Sequence, residues 1–211
     1  MELFTAVLLI AGAYFYGSIN LAVILSKKVG GFDIREVGTG KAGTANTMRN
    51  LGRGWGVLVF LFDLSKGILP LMLAGDLPAF VPLAAAGAAV TGHCRPVYHQ
   101  FRGGGGAASV IGAMVYLMPG ESILSLAAAF ILVQILLRRA RYRIGQWVPL
   151  LFLALLPIVS LISAADLFGV PQLGGIPWYY PPTALGFGIL VLLLNRTIAR
   201  QKLRRMKGDG P

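Results

Sequence analysis

The stretch WGVLVFLFDLSKGILPLMLAG, residues 55–75, determines the class of fold. Its apolar residues continue for about the 20 residues that a helix needs to cross a bilayer. Asp63 and Lys66 interrupt this run three positions apart, so both lie on one helical face. Charged side chains within a span are costly and usually face the protein interior or a polar cavity. Two interpretations stay open: an ion pair that fastens helices together, or a lysine that points into a cytoplasmic-side pocket.

The chain as a whole has the composition of an integral membrane protein. Of its 211 residues, 56% are hydrophobic and 13% are charged, and the net charge is +11. Further apolar runs lie at residues 3–25, 77–93, 106–119, 121–137, 147–165 and 182–195. Together with residues 55–75 they predict an all-α integral membrane protein with seven transmembrane helices. No linker or repeat divides residues 1–211, so we expect a single membrane domain.

The distribution of basic residues predicts the orientation in the membrane. Eighteen of the 19 Lys and Arg residues fall in alternate connections, at residues 26–54, 94–105, 138–146 and in a basic tail at 196–211. The opposite connections carry four acidic residues and no basic residue. Basic connections stay in the cytoplasm, which gives an outside N-terminus and a cytoplasmic C-terminus. The charge suits anionic membrane lipids, whereas long apolar runs between the basic segments argue against nucleic acid.

The first basic connection contains the polar sequence GFDIREVGTGKAGTANTMRNLGRGWG, residues 31–56. Lys41 and Arg49 offer fixed positive charge, while Thr39 and Asn46 offer a hydroxyl and an amide. This inventory suits a phosphorylated substrate, because cations attract the phosphate and the neutral groups bind its remaining oxygens. A juxtamembrane loop that only obeys the charge rule is an equally good interpretation of these residues alone.

A second polar segment, TGHCRPVYHQFRGGGG, spans residues 91–106 and precedes an apolar run. Glycines before a helix favour phosphate binding, because bare backbone N–H groups can approach an anion. Arg95 and Arg102 add positive charge nearby, although a slack hinge between two spans stays possible. No third ligand at metal-site spacing accompanies His93 and His99, so we expect no metal and no cofactor.

Four segments in this order resemble the bacterial acyl-phosphate-dependent glycerol-3-phosphate acyltransferases: GSIN (17–20), DIREVGTGKAGTANTMRNLG (33–52), DLSKG (63–67) and GHCRPVYHQFRGGGG (92–106). The resemblance implies transfer of a fatty acyl group from acyl phosphate to the 1-hydroxyl of glycerol 3-phosphate, giving lysophosphatidic acid and phosphate. Acyl phosphate and glycerol 3-phosphate are then the partners. It also implies a seven-span protein of the inner (plasma) membrane that uses neither metal nor acyl-CoA, with its active face in the cytoplasm.

The resemblance also implies roles for individual residues. The catalytic residues expected from it are Arg49, Lys66 and Thr39. The expected substrate-binding residues are Lys41, Asn46, His93, Arg95, Arg102, Gly103, Gly104, Gly105 and Gly106. Within these sets, Arg49, Lys66 and the amides of the glycine loop handle phosphate, and Thr39 and Asn46 position glycerol 3-phosphate.

The chain departs from the family pattern and is identified as a divergent member. Gly105 stands where the phosphate loop of the family has a lysine, and Lys41 replaces an asparagine. No histidine follows His99, although Asn195 remains near the end of the last apolar run. One hypothesis is that Lys41 or Arg95 supplies the missing cation. The alternative is a catalytically degenerate membrane paralogue that binds a phosphorylated lipid precursor or a partner protein.

Overall fold

The computed structural model describes residues 2–136, 144–164 and 180–206. Every regular element within these ranges is a helix, which confirms the predicted all-α class. The predicted connection at 138–146 lies mostly outside the described residues, as does the basic tail after Met206. The α-helices are α1 (Glu2–Ser18), α2 (Leu21–Leu25), α3 (Thr44–Asn50), α4 (Arg53–Leu73), α5 (Phe80–Cys94), α6 (Ala107–Leu117), α7 (Pro119–Leu136), α8 (Ile144–Ala164) and α9 (Tyr180–Met206).

Each of the seven apolar segments is covered by one of these helices, or by two in the case of the first segment. Within the described ranges, two helical stretches are long and apolar enough to cross a membrane, Glu2–Gly30 and Arg53–Leu73. The apolar parts of α6, α7, α8 and α9 are shorter, at 10–17 residues. Helix α9 continues beyond the predicted end of its span as far as Met206. The number of membrane crossings and their direction stay predictions.

The first apolar segment contains a break that was not predicted. Helix α1 ends at Ser18, and Asn20 caps α2 by accepting a hydrogen bond from the Val23 N–H over 3.3 Å. The Asn20 amide also donates to the Ala42 carbonyl over 3.4 Å. A buried polar side chain needs such partners. Asn20 therefore lies where the helix is interrupted, and its hydrogen bonds link the helix to the first connection.

Small residues bring pairs of helices into close contact. A Cβ atom at Gly67 of α4 would collide with the Ser109 carbonyl of α6, and one at Gly112 would collide with the Leu64 carbonyl. Helices α1 and α5 approach each other in the same way at Gly17 and Ala89. Such contacts are typical of helices that pack inside a membrane, where small residues let backbones approach. They hold α4 against α6, and α1 against α5, in fixed register.

The first connection, residues 26–54, is built from short ordered elements. It contains a π-helical turn, Ser26–Gly30, and helix α3. A cluster of buried apolar side chains packs it against α2 and α4: Ala22, Val23, Ile34, Ala42 and Val59. Burial of apolar surface stabilises this arrangement by roughly 25 cal/mol for each Å² removed from water. This apolar cluster therefore holds the polar residues of the connection in place.

Candidate active site

A buried ionic cluster links α4 to α5. Lys66 Nζ donates a hydrogen bond to Asp63 Oδ1 over 2.8 Å, and His93 Nδ1 lies 3.2 Å from each of these two atoms. The exposed fraction is 0% for Lys66 and 2% for both Asp63 and His93. The predicted contact between Asp63 and Lys66 on one helical face is present, and His93 joins this pair to α5. The Lys66 ammonium is enclosed by protein in this conformation.

The geometry of this cluster follows from the cost of burying charge. Removing an ion from water costs several kcal/mol, which is offset only when an opposite charge and hydrogen bonds are well placed. Asp63 supplies the opposite charge for Lys66, and the Phe62 ring lies 5.1 Å from the ammonium, within the range of a cation–π contact. The three polar side chains therefore depend on one another.

The glycine loop, Gly103 to Gly106, packs directly on His93. The Gly104 N–H donates to the His93 carbonyl over 3.0 Å. A Cβ atom at Gly103 would collide with that carbonyl, and a Cβ atom at Gly104 would collide with His93 Nε2. Gly106 has φ +80°, a left-handed conformation that a side chain disfavours, and its Cβ atom would lie 2.8 Å from Cys94 Sγ. Three of the four glycines are thus required by close packing or by backbone conformation.

Gly105 differs from the other three glycines. Its φ lies outside the left-handed region, and a Cβ atom there would meet its nearest described atoms only at van der Waals distance. These atoms are Asn195 Oδ1 and Lys41 Nζ, both 3.8 Å away. Position 105 is therefore the one place in the loop where the described surroundings accept a side chain.

Helix α6 begins immediately after the loop, with Gly106 as its N-cap. The first N–H groups of a helix have no partner within the helix and carry partial positive charge, so they favour an anion. Arg95 lies beside the loop, and its guanidinium donates to the carbonyls of Phe101 (3.4 Å) and Leu194 (3.3 Å). Arg95 therefore connects the loop to α9. The partly exposed Arg102 makes no side-chain hydrogen bond or ion pair with the described part of the chain.

Asn46 organises the first connection from inside. Its Oδ1 accepts from the Thr39 N–H over 3.1 Å, and its Nδ2 donates to the carbonyls of Ile34 (2.8 Å) and Lys41 (3.1 Å). The side chain is 2% exposed. Its polar atoms are therefore engaged with the protein itself, and a contact between Asn46 and substrate stays a prediction. Thr39 and Arg49 lie on the exposed side of the same connection.

Lys41 extends from the first connection to the glycine loop. Its Nζ donates to Asn195 Oδ1 of α9 over 2.7 Å. The Asn195 amide group donates in turn to the carbonyls of Gly105 (2.9 Å) and Val191 (2.8 Å). The Ala42 N–H also reaches the Gly103 carbonyl over 3.4 Å. The structure thus brings the first connection, the glycine loop and α9 together at one place.

Sequence reasoning assigned no role to Asp33 and Arg35, which fasten the two polar segments to each other. Arg35 pairs with both carboxylate oxygens of Asp33, and its Nη1 also donates to the carbonyls of His99 (2.8 Å) and Arg102 (3.2 Å). The hydrogen bond from Arg35 holds the pKa of the Asp33 carboxyl well below its usual range, against the opposing effect of burial. The sequence signal that could have predicted this ion pair is the opposite charge of Asp33 and Arg35, two residues apart in FDIRE.

Comparison with known proteins identifies the family of this chain. Residues 7–206 match the family model of the glycerol-3-phosphate acyltransferases. A relative of that name from Shouchella clausii is 36% identical over 199 residues, covering 92% of this chain and 88% of the relative. Another from Halalkalibacterium halodurans is 40% identical over 122 residues, but the match spans only 56% of this chain and 59% of that protein.

The fold is also similar to a solved structure. The crystal structure of PlsY (YgiH), an integral membrane glycerol 3-phosphate acyltransferase in its glycerol 3-phosphate form, superposes with a TM-score of 0.73 at 26% identity. The match covers 98% of this chain and 94% of that one. On the match over residues 7–206 and the Shouchella relative, the chain belongs to the glycerol-3-phosphate acyltransferase family.

Proposed function

We propose that this protein transfers a fatty acyl group from acyl phosphate to the 1-hydroxyl of glycerol 3-phosphate, forming lysophosphatidic acid and inorganic phosphate. Family membership supports the acyltransferase activity and the acceptor. The observation that carries the proposal is the glycine loop, which is closed to side chains at three positions and lies beside a lysine. A backbone of this kind, at the start of a helix and next to a cation, suits a phosphate group.

The reaction needs orientation more than covalent catalysis. The acceptor oxygen attacks the acyl carbonyl carbon, the bond from that carbon to the phosphate oxygen breaks, and phosphate leaves with the electron pair. The hydroxyl proton passes to a phosphate oxygen of the substrates. Because phosphate is already a good leaving group, the main tasks of the protein are to align the two substrates and to stabilise the charge that develops.

The described contacts support a division of roles. The amides of the glycine loop other than the Gly104 N–H, together with the start of α6, bind phosphate, and the side chains of Arg49, Thr39 and Arg102 contact substrate. Lys66 positions the loop indirectly. Its enclosed ammonium contacts His93, and His93 contacts Gly104. Asn46 gives the first connection its shape.

We further propose that the seven helical segments each cross the inner membrane, with the N-terminus outside and the active face in the cytoplasm. Large apolar side chains such as Leu3, Phe4 and Leu73 are more than two thirds exposed, at 79%, 69% and 72%, which suits contact with lipid. The site is built from the basic connections 26–54 and 94–105, and basic connections stay in the cytoplasm. Glycerol 3-phosphate would then enter from water and the acyl donor from the bilayer.

The test is an assay of the purified protein in lipid nanodiscs with acyl phosphate and glycerol 3-phosphate. Lysophosphatidic acid and phosphate should form in equal amounts, and acyl-CoA should not replace acyl phosphate. Gly105 stands where the family pattern has a lysine, and this departure favours a second candidate, the non-catalytic paralogue. If the folded protein binds glycerol 3-phosphate but shows no turnover, this would support that candidate and overturn the proposed acyltransferase activity.

A further inference from the structure

We propose that Lys41 supplies the positive charge of the glycine loop from outside the loop, and that Asn195 is the positioning residue that holds it there. The inference rests on the proposed function, since it concerns the phosphate site of the same reaction. It gives α9 a part in the phosphate site through Asn195, which lies 154 residues away along the chain from Lys41.

The Lys41 ammonium lies beside the glycine loop. Lys41 Nζ lies 3.8 Å from the position of a Cβ atom on Gly105. The ammonium therefore stands beside the one loop position whose described surroundings would accept a side chain. A unit charge acts over several Å, so a phosphate at the loop amides can be attracted by a cation that is not itself part of the loop.

The hydrogen-bond partners of Asn195 determine the orientation of its side chain. Lysine has only donors, so Asn195 must present its oxygen to Lys41. Its amide nitrogen donates to the carbonyls of Gly105 and Val191, which accept only. Reversing the amide would place its NH₂ group against the ammonium and its oxygen against the two carbonyls. The three contacts thus fix one orientation.

The chemistry of asparagine suits this contact. Asparagine is neutral, so Asn195 fixes the ammonium in place without adding a negative charge beside the phosphate site. The same side chain binds the loop backbone at Gly105, so the position of the cation and the position of the loop are coupled. Holding a flexible lysine in advance lowers the entropy that is lost when phosphate binds.

The experiment transfers the cation between the two positions. In Lys41→Asn the charge is removed, and in Lys41→Asn/Gly105→Lys it is returned from the loop. The control variant is Lys28→Gln, which removes one exposed cation from the same connection. We expect Lys41→Asn to lower kcat/KM by roughly 10²–10³, the double variant to regain most of this loss, and Lys28→Gln to stay near the wild type. Thermal unfolding of each variant verifies that it is folded.

Asn195 is tested by a double-mutant cycle. Asn195→Ala should lower kcat/KM when Lys41 is present and have much less effect in the Lys41→Asn background, since the two residues would then act through one contact. A merely structural asparagine would give the same loss in both backgrounds. Equal losses would therefore overturn the positioning role.

Two further outcomes would overturn the role of Lys41. One is a folded Lys41→Asn variant within threefold of the wild type, and the other is a folded double variant no better than Lys41→Asn. If the wild type makes no lysophosphatidic acid, the proposed function fails, but the inference is still decided by the affinity for glycerol 3-phosphate. A Kd that rises in Lys41→Asn and falls again in the double variant supports it, and an unchanged Kd overturns it.

Discussion

His93 Nδ1 lies 3.2 Å from Asp63 Oδ1, the same carboxylate oxygen that accepts the hydrogen bond from Lys66. One acidic side chain thus serves two partners, and the imidazole contacts the glycine loop through its other edge. The cluster lies in the interior of the helix bundle and also directly beneath the glycine loop of the candidate active site. Substitutions can distinguish the contribution of this cluster to stability from its contribution to function.

We expect Asp63→Asn to be strongly destabilising. The substitution leaves the Lys66 ammonium buried without its opposite charge, and breaking a buried pair in this way costs about 3–5 kcal/mol. Asp63→Asn/Lys66→Met removes both charges and should recover much of the loss. The free energy of unfolding in detergent measures both variants, and an Asp63→Asn protein as stable as the wild type would contradict the prediction.

Gly104→Ala should abolish most of the activity. The new methyl group collides with His93 Nε2 and the Ala42 carbonyl, so the loop must move away from α5. A displacement of about 1 Å at a reactive site lowers the rate by about 100-fold. Gly105→Ala is the matched variant, since its methyl group makes only ordinary contacts, and its kcat/KM should fall far less. Similar losses in the two variants would argue against the loop geometry described above.

Asn46→Asp tests the organising role of Asn46. The carboxylate cannot donate to the carbonyls of Ile34 and Lys41, and it repels them instead. Leaving buried polar groups without partners costs about 1–3 kcal/mol, so the melting temperature and the activity should fall together. A variant that keeps the wild-type melting temperature but loses affinity for glycerol 3-phosphate would instead indicate a direct substrate contact.

The ion pair of Asp33 and Arg35 should make stability depend on pH. Because the pKa of Asp33 is lowered in the folded protein, its stabilising contribution is complete above the pKa of the unfolded chain, near 3.9, and is lost as the pH falls through the lower folded value. Asp33→Asn should therefore be less stable than the wild type at pH 7, and the difference should shrink below pH 4. A difference that does not change with pH would rule out the ion pair as its cause.

The sequence predicts the features that depend on local pattern. Apolar runs of sufficient length identify the seven helical segments, and the spacing of Asp63 and Lys66 predicts their contact, because both follow from the geometry of one helix. The break at Asn20 depends on a partner in another segment, the Ala42 carbonyl, and was not predicted. Helix α3 was likewise hidden in a sequence that looked like an irregular connection.

The contacts within the site depend on packing that a pattern cannot supply. Lys41 and Asn195 are distant in sequence, and only the folded bundle shows that Lys41 lies beside Gly105. Asn46 was expected to bind substrate because amides often do so, yet its neighbours use its hydrogen-bonding groups. Which glycines tolerate a side chain is equally a property of the packing on His93.

The position of Asn195 has a consequence for the biosynthesis of this protein. Because α9 leaves the ribosome after both Lys41 and the glycine loop, neither has Asn195 as a partner until α9 has been made. A nascent chain that has inserted α1 to α6 has most of the polar groups but lacks the contact that fixes Lys41. A chain terminated before residue 195 lacks this contact, and we expect it to lose most of its activity.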